Sequence, residues 1–151
     1  MLAVLAAAGC QSGTADSAAA HRGIELIEAP PVKDVAAYVA AQAAHAATDH
    51  KKLIVYVGAI WCEPCRRFHQ AALEGKLDEA FGDLRLVVFD QDRDEPALLA
   101  AGYHSELIPL FALPGPDGRA SGKQIEGSIK GAGAVAQIAP NLRGLVGPAE
   151  P

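Results

Sequence analysis

Leu53-Ile54-Val55-Tyr56-Val57, then Trp61-Cys62-Glu63-Pro64-Cys65, then Arg66-Arg67-Phe68-His69-Gln70-Ala71-Ala72-Leu73 is the stretch that decides how this chain folds. The first run is apolar and predicts a buried strand. The last predicts a helix, with Pro64 in its first turn, where a missing N–H costs nothing. Two cysteines three apart at such a turn suit thiol–disulfide exchange. Cys62 lies at the helix N-terminus, where unpaired N–H groups and the helix dipole favour thiolate over thiol. Cys65, one turn on, is near enough to attack a mixed disulfide and release its product. The pair also fits an inert structural disulfide, or half of a metal site with His69 as a third ligand. Zinc takes about four ligands, and the chain has no second Cys pair.

Outward from this stretch the pattern alternates. Ile24 to Ile27 predicts a short first strand, and Pro30-Pro31 open a helix over residues 32–47. Val35, Val39, Gln42, Ala43 and Ala46 trace one face of that helix. The central strand spans Lys52 to Gly58, and the Cys-x-x-Cys helix continues to Phe81, with a break at Gly75. Leu84 to Phe89 predicts a buried strand ending in Asp90-Gln91-Asp92. A short helix runs from Pro96 to Ala101 and stops at Gly102. Leu110 to Leu113 predicts another strand, Pro116-Asp117-Gly118 a turn, and Gln124 to Gly127 an antiparallel return. The last helix covers residues 132–146, with a kink or break at Pro140. The order β-α-β-α-β-α-β-β-α is α/β: a central mixed sheet with helices on both faces.

In this order the sequence resembles the thioredoxin superfamily over residues 24–146, and within it the bacterial envelope thioredoxin-like proteins. Three features carry the resemblance: Val57 to Cys65 with its Trp-Cys-x-x-Cys, Phe89-Asp90-Gln91-Asp92, and Ile108-Pro109 before a strand and a Pro-Asp-Gly hairpin. The resemblance implies a thioredoxin fold and thiol–disulfide oxidoreductase activity on partner proteins, with no organic cofactor and no metal. It implies that Cys62 is the nucleophile, Cys65 the resolving thiol and Trp61 part of the rim. Pro109 is implied to be cis, turning the backbone of Ile108 toward a substrate chain, which would add as a short extended segment. The residues alone leave Pro109 open to an ordinary trans Pro at an edge strand.

Two positions depart from the family. Many reducing members keep a buried acid five residues before the Trp, with a lysine across from it; here these positions hold Tyr56 and Leu86. The stretch Tyr103-His104-Ser105-Glu106-Leu107 is also longer than the usual lead into the proline, and His104 in it is a candidate partner contact. Glu63 beside Cys62 opposes the thiolate, and the dipeptide lacks the His of strong oxidants, so reduction of partners is the expected direction.

The 151 residues, half of them hydrophobic, are enough for one folded domain. The net charge of −5 carries no basic stripe, which argues against nucleic-acid binding. No apolar run approaches the roughly 18 residues of a membrane span. Met1 to Cys10 is apolar and ends in Ala7-Ala8-Gly9-Cys10, resembling the end of a bacterial lipoprotein signal. No Lys or Arg opens it, as expected if the true start codon lies upstream. This reading makes residues 1–9 a truncated signal segment, Cys10 the lipidated first residue and residues 10–23 a flexible tether. Residues 24–147 are then the domain and 148–151 a tail. The expected setting is the bacterial cell envelope, facing the periplasm, where disulfides persist. A monomer with a membrane thiol electron donor is expected. A copper- or zinc-binding module and a non-catalytic interaction domain stay open as other classes.

Overall fold

The computed structural model describes residues 23–148; Cys10 and the signal segment lie outside them. The chain runs β1 (Glu25–Glu28), α1 (Val35–Thr48), β2 (Lys52–Gly58), α2 (Glu63–Leu73), α3 (Asp78–Phe81), β3 (Leu84–Asp90), α4 (Gln91–Ala100), β4 (Leu110–Pro114), β5 (Ala120–Glu126) and α5 (Ala134–Val146). The five strands form one sheet in the order β1-β3-β2-β4-β5. β1, β3 and β2 are parallel, while β4 and β5 are antiparallel additions on the other side.

β2 lies inside the sheet and is covered on both faces, so its apolar residues run on without polar interruption. Successive side chains still alternate. Ile54 and Tyr56 join Phe68, Phe81, Leu86, Phe111, Ile138 and Leu142 under α2, α3 and α5. Leu53, Val55 and Val57 join Val35, Val39, Phe89, Leu98 and Leu110 under α1 and α4. Helices therefore flank a mixed sheet on both sides.

Two helices differ from the sequence pattern. α4 begins at Gln91, not at Pro96. Asp90 ends β3 and caps the helix, its carboxylate accepting from the Arg93 N–H at 3.0 Å. Asp94 reaches back to accept from the Asp90 N–H at 3.0 Å. These reciprocal bonds start the helix early, and Pro96 is carried inside it. α5 runs unbroken from Ala134 through Pro140. The break at Gly75 does occur, with φ +73° between α2 and α3.

The β4–β5 turn is seated on α1. Gly118 has φ +76°, and a Cβ there would lie 2.0 Å from the carbonyl oxygen of Ala36. Only glycine lets the turn come this close. Tyr103 fixes the turn from below, its buried hydroxyl donating to the Gly118 carbonyl at 2.7 Å.

Candidate active site

β2 ends at Gly58, and the chain turns through Ala59 and Ile60 to place Cys62 as the N-cap of α2. Cys62 and Cys65 are joined by a disulfide. The Sγ of Cys62 accepts from the backbone N–H of Cys65 at 3.3 Å, so the first sulfur occupies the position that a capping oxygen usually takes. Both cysteines are buried. Gly58 makes room for them: a Cβ there would lie 3.2 Å from the Cβ of Cys65. Sequence reasoning took Gly58 only as a strand end; the small residue three before Trp61 was the available signal.

The Ile108–Pro109 peptide is cis. It leads into β4 and brings the Ile108 carbonyl oxygen to 3.8 Å from the Cys62 Sγ. Pro109 is buried and Ile108 half-buried against the cysteines. Trp61 is 63% exposed on the other flank. Its indole N–H donates to Asp92 Oδ2 at 2.9 Å, which ties the rim to the start of α4. Exposed Ile60 directly precedes Trp61 and exposed Leu107 directly precedes Ile108, so both add apolar surface beside the cysteine pair.

Glu63 is not a free charge beside Cys62. Its carboxylate accepts from Arg67 Nε at 2.7 Å and from the Gly131 N–H at 3.3 Å. The Arg67 hydrogen bond in particular holds this half-buried carboxyl below its ordinary value. Its repulsion of a Cys62 thiolate is partly cancelled, and it links the active-site helix to the β5–α5 loop.

Tyr56 and Leu86 occupy the core beneath α2. The Tyr56 hydroxyl donates to the Cys65 carbonyl oxygen at 3.0 Å. Its ring stacks on Phe111 at 4.8 Å, and Phe68 meets Phe111 edge-on at 4.8 Å. Burial pushes the Tyr56 phenol well above its ordinary range. His69 Nε2 lies 3.6 Å from Glu28 Oε1. His104 is exposed on the loop before Ile108, its carbonyl accepting from Gln124. Among the described residues, no three His, Cys, Asp or Glu side chains gather as a metal site would require.

Such a cysteine pair, held at a helix N-terminus beside a cis proline, can be compared with known proteins. No protein-family model and no curated protein matches the chain. Solved structures do. A poplar thioredoxin h aligns with a TM-score of 0.53 at 20% identity, covering 82% of this chain and 96% of that one. A Trichomonas vaginalis thioredoxin aligns at 0.51 and 20% identity, covering 79% and 96%. The chain has the thioredoxin fold. Within that thioredoxin fold, the sheet, the helix carrying Cys62 and Cys65, and the turn through Pro109 meet at one end of the molecule.

Proposed function

We propose that this protein exchanges thiols for disulfides with partner proteins, acting as a reductant in the bacterial cell envelope. The observation that carries the reading is the Cys62–Cys65 disulfide with Cys62 Sγ capping α2 beside the cis Ile108–Pro109 peptide. In the reduced protein the Cys62 thiolate attacks a partner disulfide. One partner sulfur leaves as thiolate and the other joins Cys62. The Cys65 thiolate then attacks Cys62 Sγ, reforming the internal disulfide and releasing the second partner thiolate. The partner gains two electrons, and a dithiol donor restores the Cys pair.

The N–H of Cys65 and the helix N-terminus stabilise the Cys62 thiolate. The Ile108 carbonyl oxygen opposes it, because the negative end of that dipole faces the sulfur. A less stabilised thiolate makes a more reducing pair, and this supports the reductant direction. A substrate chain lying along Ile108 would meet Trp61 on its other side. The envelope setting rests on Ala7-Ala8-Gly9-Cys10, with Cys10 as the lipid-bearing residue.

Replacement of Cys65 by Ser tests the mechanism. Cys65→Ser is expected to accumulate partner proteins disulfide-bonded to Cys62, which dithiol reductant releases. Cys65→Ser that captures no more protein than a Cys62→Ser, Cys65→Ser double variant would refute it. Incorporation of labelled fatty acid, lost in Cys10→Ser, tests the anchor.

A further inference from the structure

Behind the cysteine pair, on the side away from Pro109, a cavity of about 530 Å³ opens to solvent. Cys65, Tyr56 and His69 line it, with Glu28 among its walls. We propose that His69, paired with Glu28, accepts the proton of Cys65 through water in this cavity when Cys65 resolves a mixed disulfide. This rests on the exchange reading above and adds the proton acceptor that the reading lacks.

Cys65 is buried, so its ionisation is opposed by desolvation and needs a base. Tyr56 cannot serve: its hydroxyl is engaged with the Cys65 carbonyl, and its burial disfavours phenolate. His69 lies one turn beyond Cys65 on α2, so the two side chains share a helix face. Imidazole is the side chain suited to moving protons near neutral pH. Glu28, at the end of β1, lies 3.6 Å from the ring nitrogen and orients it toward the cavity wall. Of the other charges around the cavity, Arg66 is on α2 itself and Asp90 is at the end of β3. Arg93 of α4 is held by Asp94 at 2.7 Å and by the Ala29 carbonyl at 2.8 Å. The cavity carries His69, Glu28, Gln70 and Asp90 on its walls and is wide enough for bridging water.

In the step itself the Cys65 S–H proton passes to His69. The Cys65 thiolate forms a bond to Cys62 Sγ, and the bond from Cys62 to the partner sulfur breaks. The partner sulfur leaves as thiolate with the electron pair and is protonated from solvent. His69 acts through water and is a positioning and proton-holding residue, without contact to the reacting sulfur.

The test uses the full chain in a Cys10→Ser background, reduced and mixed with dithiobis(nitrobenzoic acid). The first coloured thiolate reports Cys62 attack and the second reports resolution by Cys65. In His69→Ala the first phase should keep its rate. The second should slow at least about tenfold at neutral pH, converge with the parent only well above the roughly pH 8.5 at which an exposed thiol ionises, and recover on adding imidazole. A second phase in His69→Ala with the parent's rate and pH profile overturns the assignment. A parent protein that releases neither thiolate refutes exchange itself, which separates the two failures.

Discussion

The Tyr56 hydroxyl spends its proton on the carbonyl oxygen of Cys65, in the first turn of the helix that carries both sulfurs. It therefore acts as a structural tie. Tyr56→Phe should lower stability by about 1 kcal/mol, the usual worth of a buried hydrogen bond, measured by denaturant titration. Both phases of thiol release should keep their rates. A loss confined to the second phase would instead make Tyr56 the proton carrier. The cysteines were legible in the sequence because their chemistry depends on residue type and spacing; the cis form of Pro109 came only through the family resemblance, since the residues alone also fit a trans proline. The role of Asp92 was not, since its bond to Trp61 joins positions that only the β2–β3 pairing brings together. Glu63 shows the same limit. Its neighbour in sequence is Cys62, but its carboxylate is answered by Arg67 and by Gly131 across the molecule.

Among the elements, the glycines divide by what surrounds them. Gly118→Ala forces a Cβ against the Ala36 carbonyl and a side chain into positive φ, so roughly 2–5 kcal/mol of stability should be lost. Gly144, exposed in α5 with nothing within 4 Å of an added Cβ, should behave oppositely. Gly144→Ala is expected to gain about 0.5–1 kcal/mol from helix propensity. Thermal unfolding of the two variants checks both signs together. The inner strands were legible because each is a short apolar run, and β2 matches its sequence bounds from Lys52 to Gly58; β5 starts at Ala120, four residues before Gln124, because its largely polar ASGKQIE edge gives no such signal. The start of α4 was not. Pro96 is a strong local signal for a first turn, but the paired bonds of Asp90 and Asp94 outweigh it. Pro140 likewise signalled a break that packing of Ile138 and Leu142 into the core overrides.

Across the whole molecule, the outermost parallel strand is held by charge. Arg85 of β3 bonds Glu25 of β1 at 2.6 Å and Asp49 at 2.6 Å, and Lys51 reaches Glu25 at 3.2 Å. Burial pushes the Glu25 carboxyl up, but hydrogen bonds from Arg85 and Lys51 outweigh it and leave the group below its ordinary value. A depressed carboxyl contributes stability above the unfolded value, about pH 4.3, and loses it as pH falls through the folded one. Glu25→Gln should therefore cost about 1–3 kcal/mol at neutral pH, and its gap from the parent should narrow on acidification. The redox poise is likewise a property of the whole fold, set by the helix N-terminus, Ile108 and the linked Glu63 together. Its direct measure is equilibration of the Cys10→Ser chain in graded thiol–disulfide buffers, with the reduced fraction read by alkylation and mass. A single two-electron transition near thioredoxin's potential, about −270 mV, is expected. A Cys62–Cys65 pair that stays oxidised across the whole range would make the disulfide structural and contradict the catalytic reading.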